Sequence, residues 1–376
     1  MAQLKSGSTV GGTEIAKKDL SNVATLPVDV VAQLKGTDGT NGRKNLIING
    51  DMRVAQRGTS FTNPASGAYI LDRWRAGIHT PTADGNYTKE ADAPTAAEAG
   101  TNFVNCLKFT CTTIDTSTTA TNRYYTRMHL EGQDIAHAGF GQAGVRYVTL
   151  SFWHKHTKTG THSFAIQSGA NDRHYAAEYT QTTSNTWEKA TTTLPVDTTG
   201  TWATNANTGL ILYFATYLGA NYQGTANTWE AGQGYGTANQ VNNVDSTSNS
   251  MRFTGVQLEL GSVATDFEHR SYGEELAMCQ RYYELGFGFY NADGNYMREA
   301  VHFSVTKRTS PTIVQTSETP QGYGNQVSGS FYQGGTNKTG LTASNANLFS
   351  YRANLYSGQY AANQDVTWKY TADAEL

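Results

Sequence analysis

Residues 145–156 read Val-Arg-Tyr-Val-Thr-Leu-Ser-Phe-Trp-His-Lys-His, and this stretch decides the fold class. Val148, Leu150 and Phe152 alternate along it with Thr149 and Ser151. Successive side chains of a β-strand point to opposite faces, so a two-residue period predicts a strand with one face in the core. We therefore expect a sheet whose apolar face packs against other structure.

Strand-like segments of the same kind recur on both sides of this stretch. They lie at residues 69–75, 103–112, 124–130, 145–156, 163–167, 187–194, 208–217 and 251–260. Polar loops rich in Gly, Asn and Thr separate them, and a helical period is almost absent. Many strands with such loops predict an all-β, antiparallel sandwich.

A single helical segment interrupts the strands at residues 272–285. Leu276, Cys279 and Tyr283 follow each other at helical spacing, and Ser271 precedes Glu274 in the spacing of a capping box. Beyond it, strand-like segments return at 287–290, 296–305, 312–316, 328–332, 348–355 and 366–371. We expect this helix to link the sandwich to a smaller C-terminal β-domain.

The predicted organisation has four parts. An extended arm covers residues 1–44, a β-sandwich 45–270, a linking helix 271–286 and a C-terminal β-domain 287–376. The arm has small, flexible residues between single apolar ones, so it cannot bury enough apolar surface to order itself. Its apolar residues are expected to dock into grooves of a partner, and they are Leu4, Val10, Ile15, Leu20, Val23 and Leu26. The alternative is that the arm is simply a flexible terminus.

Composition excludes several partners. The chain has 28 Lys and Arg against 31 Asp and Glu, so it lacks the basic excess that binds a phosphate backbone, and nucleic acid is not an expected partner. No stretch approaches the roughly 20 apolar residues of a membrane-spanning helix, so no membrane insertion is expected. Cys106, Cys111 and Cys279 form no C-x-x-C pair, which predicts buried or idle thiols in a protein assembled in a reducing cytoplasm.

Two separated groups of motifs resemble the start and end of a recurrent domain in phage tail fibre and virion structural proteins. The first group is KNLIINGDM at 44–52, QRG at 56–58 and LDRW at 71–74. The second is FTGVQLELG at 253–261, TDFE at 265–268 and a segment at 275–284 with the core CQRYY. Residues 4–23 resemble the attachment leader of such proteins, and YTADAEL at 370–376 resembles their ending. Between the motifs, the strand layout resembles galactose-binding-like jelly rolls and carbohydrate-binding modules.

This resemblance implies a virion structural subunit of a tail fibre or tip, located on an external appendage. Residues 1–44 would bind other virion proteins of the tail, neck or baseplate, and the β-domains would bind a host-surface glycan or receptor. Fibres of this sort resemble homotrimers, and closed symmetry would bury aromatic strand faces. A purely architectural adaptor or head fibre is the alternative, and a glycan depolymerase is a third.

The sequence contains little that points to catalysis. A depolymerase needs two carboxylates that face one groove. Glu131 and Asp134 lie near His137 in a Gly-rich connector, whereas Glu178, Glu188 and Glu230 are solitary. No G-x-S-x-G motif occurs. We therefore predict that the protein is not an enzyme and has no catalytic residues.

Aromatic residues set among Asn, Gln and Gly are candidate glycan contacts, because the apolar face of a sugar packs on aromatic rings. The candidate glycan- or receptor-binding residues are Tyr217, Tyr222, Trp229, Tyr235, Tyr332 and Tyr356. Tyr213 and Phe214 are expected in the core. The alternative is that these aromatic residues pack against a neighbouring subunit.

Metal sites have weaker signals. Carbohydrate-binding jelly rolls that the body resembles often hold a structural calcium, which nominates Asp51 and Glu259 as ligands, although either could pair instead with Arg53 or Arg57. No other cofactor is expected. His154 and His156 share one strand face near His162, which suggests either a metal bridge between subunits or a solvent-exposed strand end.

Overall fold

The computed structural model describes residues 9–10, 13–14, 44–79, 82–117, 119–291, 297–317, 330–333, 336–339, 341–355 and 365–376. Five of the predicted arm anchors lie outside this set: Leu4, Ile15, Leu20, Val23 and Leu26. Val10 belongs to a short strand that pairs antiparallel with Thr13–Glu14. Docking of the arm on a virion therefore stays a prediction.

Strands follow one another along the described residues. The first sixteen are β1 Thr9–Val10, β2 Thr13–Glu14, β3 Ser60–Phe61, β4 Trp74–His79, β5 Asp84–Glu90, β6 Cys106–Thr113, β7 Arg123–Glu131, β8 Tyr147–His156, β9 Gly160–Ser168, β10 Arg173–Gln181, β11 Glu188–Pro195, β12 Thr208–Leu218, β13 Gln223–Gly224, β14 Thr228–Ala231, β15 Gly236–Thr237 and β16 Ser250–Leu260. The remaining strands are β17 Tyr283–Asn291, β18 Met297–His302, β19 Thr312–Ser317, β20 Ser330–Gln333, β21 Thr336–Thr339, β22 Thr342–Ser344, β23 Ser350–Leu355 and β24 Asp365–Asp373. The α-helices are α1 Ala96–Ala99, α2 Gly132–Ile135 and α3 Tyr272–Gln280, and short 3-10 helices span Ala136–Ala138 and Ala220–Tyr222.

Two six-stranded antiparallel sheets form the sandwich. The front sheet has the order β14-β10-β9-β12-β7-β4 and the back sheet β11-β8-β16-β6-β5-β3. Their inner faces meet at aromatic residues: the Phe214 ring of β12 lies 4.9 Å from Phe152 of β8 and 4.3 Å from Phe253 of β16. Val148 and Leu150 are buried in the same core, as their alternation predicts. The predicted jelly-roll sandwich is confirmed.

The smaller C-terminal β-domain follows α3, which begins at the predicted capping box of Ser271 and Glu274. One sheet has the order β17-β24-β20-β21 with β19 also paired to β24, and a second has the order β18-β23-β22. Its core contains Tyr351, Trp368 and Tyr370, and Trp368 Nε1 donates to the Tyr351 hydroxyl at 2.9 Å. The all-β fold class, with a short helix between two β-bodies, agrees with the sequence prediction.

Two segments differ from the sequence predictions. The strand predicted over 69–75 begins only at Trp74, because Arg73 has a φ of 72°, a left-handed conformation that ends extended structure. The helix predicted over 271–286 is shorter: it ends at Gln280, and Tyr283 already begins β17. Trp74 itself is fully buried in the core.

A buried group of charges joins the start of the sandwich to the last described residues. We call Arg57, Asp72, Arg73 and Glu375 the junction cluster. Arg73, whose side chain is 1% exposed, pairs with Glu375 and also donates to the backbone oxygen of His129. Arg57 pairs with the other Glu375 oxygen at 3.3 Å and lies 3.8 Å from Asp72. Charges removed from water need such partners, so the cluster ties together segments that are far apart in the chain.

Tyrosines of the linking segment cover the same two arginines. Arg73 Cζ lies 3.4 Å from the centroid of the Tyr282 ring, and Arg57 Cζ lies 3.5 Å from that of Tyr283. Gln56 Nε2 donates to the Tyr283 backbone oxygen at 2.7 Å. The QRG, LDRW, CQRYY and YTADAEL motifs thus meet at one place. The segments that carry the family resemblance build the joint between the two β-bodies.

The first motif also closes the sandwich along β16. Leu46 N donates to the Leu258 oxygen at 2.9 Å, and Asn45 Nδ2 donates to the Val256 oxygen at 3.1 Å. A Cβ at Gly50 would lie 2.2 Å from the Val256 oxygen, so only glycine allows this approach. KNLIINGDM and FTGVQLELG are therefore adjacent in space.

Three histidines form a cluster inside the sandwich, where the sequence suggested a metal bridge or an exposed strand end. His154, His156 and His162 are at most 1% exposed, with ring centroids 5.2 Å apart for the first two and 4.4 Å for the last two. Both sequence interpretations require exposure and are wrong, because the rings pack in the core beside Tyr179. Burial lowers the pKa of all three, that of His162 to about 4.

The junction cluster predicts a large effect of Glu375→Ala. The change leaves the guanidinium groups of Arg57 and Arg73 buried without their shared carboxylate, and we expect a loss of about 3–5 kcal/mol in the free energy of unfolding, measured by urea denaturation. Asp373→Ala is the matched control: Asp373 also pairs with Arg57, at 3.4 Å, but its side chain is 45% exposed. It should cost about 1 kcal/mol or less. Equal losses in the two variants would contradict a central role for the cluster.

The histidine cluster predicts that acid destabilises the sandwich. An unfolded histidine binds a proton near its ordinary pKa of 6.5, whereas folded His162 does so only near pH 4. The unfolded chain therefore binds more protons between these values, and the free energy of unfolding should fall as the pH is lowered through that range. Urea midpoints between about pH 7 and about pH 4 measure this slope. His162→Gln should flatten the dependence of the unfolding free energy on pH. His137→Gln, at an exposed position, is the control and should leave that dependence unchanged. An unchanged dependence in His162→Gln would refute the role of His162 in acid destabilisation.

Candidate functional site

The candidate site lies on the outer face of the front sheet, and the alternation of β7 creates it. Tyr124 and Met128 point into the core between the sheets. Arg123, Tyr125 and Arg127 therefore lie on the opposite face. Strand β7 is near one edge of the front sheet, between β12 and β4, so these three residues have neighbours on both sides.

Neighbouring strands hold the Tyr125 ring in place. Gly77 of β4 lies directly opposite Tyr125, and a Cβ at Gly77 would be 2.0 Å from its ring. Glycine is thus required for the ring to lie over β4. On the other side, Tyr213 of β12 meets the Tyr125 ring edge-on, with centroids 5.0 Å apart and an interplanar angle of 82°.

The chain between β12 and β16 folds back over this face and brings two further tyrosines. The rings of Tyr222 and Tyr235 are stacked, 5.1 Å apart at an angle of 6°, and Tyr235 also stacks on Tyr213 at 4.4 Å. A backbone hydrogen bond from Tyr235 N to the Tyr222 oxygen, 2.9 Å long, and the parallel pair β13–β15 hold the stack together. The structure thus joins Tyr222 and Tyr235, both predicted from sequence.

Two arginines complete a surface that we call the tyrosine–arginine face, made of Arg123, Tyr125, Arg127, Tyr213, Tyr222 and Tyr235. Arg123 Cζ lies 4.3 Å from the Tyr222 ring centroid, and a guanidinium nitrogen donates to the Tyr222 hydroxyl. Arg127 Cζ lies 5.6 Å from the Tyr125 centroid. Tyr125, Tyr213 and Tyr235 are buried, whereas Arg123, Arg127 and Tyr222 are half-buried. The half-buried groups are those that a ligand can contact.

The face carries positive charge over neutral phenols. Burial raises the pKa of Tyr213 and of Tyr235, so both remain protonated at neutral pH. Burial alone would lower the pKa of Arg127, but Tyr125 and Tyr213 outweigh it and the pKa is raised. Burial, together with the charges of Arg123 and Arg127, lowers the pKa of the adjacent His79. Arg127 therefore stays charged beside the neutral hydroxyls of Tyr213 and Tyr235.

The other predicted glycan residues do not join this face. Tyr217 is 6% exposed and packs in the sandwich core. Phe214 lies in that core as expected, while Tyr213 is buried on the outer side of the front sheet. The side chain of Tyr332 and the whole of Tyr356 lie outside the described residues.

Trp229 belongs to a separate aromatic group at the β14 edge of the front sheet. The ring centroids of Trp229 and Trp202 lie 5.8 Å apart, with an interplanar angle of 87°. Trp202 stacks on Phe140, with ring centroids 4.4 Å apart. Both indoles are half-buried, and their Nε1 atoms donate to the backbone oxygens of Pro195 and Thr199. Arg173, which lies opposite Ala231 of β14, pairs with Asp197 at 2.5 Å.

The predicted calcium ligands are engaged in other bonds. Asp51 pairs with Arg53 at 2.7 Å, which was the alternative from sequence. Both Glu259 oxygens accept hydrogen bonds, from Gln257 Nε2 at 2.9 Å and from Thr265 N and Oγ1 at 2.8 and 2.6 Å. Asp51 Oδ1 is buried without a hydrogen-bond partner, so these two residues offer few free oxygens toward the six to eight that calcium takes. Calcium binding by Asp51 and Glu259 stays a prediction. Within the described ranges, no group of three or more His, Cys, Asp or Glu is arranged to hold a metal.

The carboxylate considered for catalysis is held by an arginine. Glu131 is fully buried, and Arg281 donates to its two oxygens at 2.8 and 2.9 Å. Such bidentate pairing favours a structural role. The cysteines Cys106, Cys111 and Cys279 are buried free thiols, as predicted. In the part of the chain that the structure describes, no helix has the length and apolar character to cross a membrane.

Sequence reasoning missed Arg123, Tyr125, Arg127 and Trp202. A signal for the first three exists. Tyr125 and Arg127 stand at alternate positions of the strand predicted over 124–130, and Arg123 immediately precedes it, so all three alternate with the buried residues Tyr124 and Met128. Their importance depends on Tyr222 and Tyr235, which lie about a hundred residues later and reach β7 only through folding. Trp202 has no comparable pattern around it.

No family model and no curated protein matches the sequence. Among solved structures, a tailspike protein 4 domain of bacteriophage CBA120 matches at 12% identity and a TM-score of 0.28, over 53% of this chain and 21% of that chain. TmCBM61 in complex with β-1,4-galactotriose matches at 10% identity and a TM-score of 0.27, over 57% of this chain and 98% of that chain. A putative sugar binding protein from Bacteroides thetaiotaomicron matches at 12% identity and a TM-score of 0.31, over 57% of this chain and 99% of that chain. At this level of similarity a shared function does not follow.

Proposed function

We propose that this protein is a structural subunit of a phage tail fibre or tip that binds a host-surface glycan through the tyrosine–arginine face. The observation that carries the proposal is the stack of Tyr213, Tyr235 and Tyr222, with the half-buried Tyr222 ring outermost and Arg123 beside it. Residues 1–44 would attach the subunit to the virion. The sequence resemblance to tail fibre proteins supports the virion part of the proposal.

The geometry suits a sugar for two physical reasons. A pyranose ring packs its apolar face on an aromatic ring, and nearby polar groups bond its hydroxyls. Tyr222 is braced from below by Tyr235, so little side-chain freedom is lost on binding. Arg123 supplies donors at the rim of the same ring.

A purely architectural role, as an adaptor or head fibre, is the competing proposal. It predicts that the tyrosine–arginine face is covered by another virion protein rather than free to bind a ligand. The position of the chain in an electron-microscopy map of the particle separates the two roles.

Glycan binding predicts a specific effect of Tyr222→Ala. We expect binding to an array of bacterial surface polysaccharides to weaken about tenfold or more, or roughly 1.4 kcal/mol, because the outermost ring is lost. Tyr222→Phe should bind nearly as well as the unchanged chain. Tyr147→Ala, which removes a ring that is 42% exposed on the back sheet, is the control and should bind normally. Absence of binding to every polysaccharide would count against the proposal, as would equal losses at Tyr147 and Tyr222.

A second surface supports the proposed homotrimer. Phe287 and Phe289 of β17 are 63% and 62% exposed, and Val314 of β19 is 39% exposed. Phe287 and Phe289 alternate along β17, which in the described residues pairs only with β24 and so forms a sheet edge. Exposed apolar residues along a sheet edge favour contact with another chain.

The trimer proposal predicts the mass of the particle in solution. Light scattering should give about three times 40.8 kDa for the unchanged chain. The double variant Phe287→Ser, Phe289→Ser should shift the mass toward that of one chain, because the apolar contact is lost. Phe349→Ser is the control: Phe349 is 61% exposed and lies immediately before β23, and its replacement should leave the mass unchanged. A monomeric unchanged chain would refute the trimer without affecting glycan binding.

A further inference from the structure

The arginines of the tyrosine–arginine face lack the carboxylate partners that several other buried or half-buried arginines have. Arg73 pairs with Glu375, Arg270 with Glu275 and Arg281 with Glu131. Within the described residues, neither Arg123 nor Arg127 forms an ion pair, and the Nε of each is buried without a hydrogen-bond partner. Their charge is therefore not balanced by the protein.

The strand register adds further positive charge beside them. Arg127 lies directly opposite Arg75 of β4. Like charges at directly opposed positions destabilise a sheet. Arg75 donates to oxygens of Gly67 and Leu376, at 3.0 and 2.8 Å. The front sheet thus carries several cations along its β4–β7 edge.

The tyrosines do not neutralise these charges. Tyr213 and Tyr235 have raised pKa values because they are buried, so their hydroxyls are uncharged at neutral pH. The pKa of His79, which lies opposite Arg123, is lowered first by burial and then by Arg123 and Arg127. A half-buried charge without a partner is unfavourable in the free protein and becomes favourable when a ligand supplies the opposite charge.

We infer that the ligand of the tyrosine–arginine face is an anionic glycan whose negative groups, carboxylate or phosphate, pair with Arg123 and Arg127 while a sugar ring packs on Tyr222. This inference rests on the proposed glycan-binding function and names the ligand class. The two arginines are four residues apart on one strand face, which places their Cα atoms roughly 13 Å apart. That spacing fits two charged groups of one oligosaccharide better than a single ion.

The test compares charged glycans with uncharged forms of the same glycans. The probes are polygalacturonate and its carboxyl-reduced form, phosphomannan and its dephosphorylated form, and polyglutamate as a polyanion without sugar. We expect at least one charged glycan to bind about tenfold or more tightly than its uncharged counterpart, and polyglutamate to bind weakly. The charged member that binds identifies carboxylate or phosphate as the preferred group.

Variants assign the effect to the two arginines. Arg123→Gln with Arg127→Gln should abolish the preference for the charged form, whereas Arg146→Gln, at an exposed position, should keep it. The melting temperature of each variant checks that it is folded. A double variant that is folded and keeps the preference would overturn the inference, as would equal binding of polyglutamate or of the uncharged glycans.

Failure of this inference can be told apart from failure of the proposed function. If neutral polysaccharides bind and Tyr222→Ala weakens them, the glycan-binding function stands and the anionic ligand class is refuted. If no polysaccharide binds, charged or neutral, both are refuted.

Discussion

The ion pair between Arg73 and Glu375 is the interaction on which the two-body arrangement depends. Both side chains are almost fully buried, and Arg57 shares the same carboxylate. A buried guanidinium without an acceptor is strongly unfavourable, so the start of the sandwich requires the far end of the described chain to be in place. Tyr282 and Tyr283 cover the two arginines from the linking segment. The sandwich, α3 and the C-terminal domain therefore meet at one set of charges.

The same physical rule distinguishes the functional face from this joint. At the joint, Arg57 and Arg73 share the carboxylate of Glu375, and the result is structural. On the outer face of the front sheet, Arg123 and Arg127 are surrounded by neutral tyrosines instead. Perturbed charged groups that the chain does not compensate are typical of binding sites, and this is the basis of the proposal. This difference, rather than similarity to carbohydrate-binding modules, supports the proposed ligand.

The sequence predicted much of the fold because alternation is a local property. The strands around Phe152, Phe214 and Phe253 follow from the two-residue period, and the capping box of Ser271 sets the start of α3. Strands β5 and β10 lack a clear apolar alternation and were not predicted. Among site residues, Tyr222 and Tyr235 were predicted from their polar loop, but Tyr217 packs in the core.

By itself, the sequence determined the all-β class, the position of the helix, the free buried cysteines and the motifs that resemble tail fibre proteins. Only the tertiary structure decided which of those residues meet. His154, His156 and His162 look like exposed ligands in sequence and are core residues in space. Arg57 and Arg73 look equivalent to Arg123 and Arg127, yet the first pair is neutralised and the second is not. Charge compensation depends on contacts between segments far apart in the chain, and no local pattern encodes such contacts.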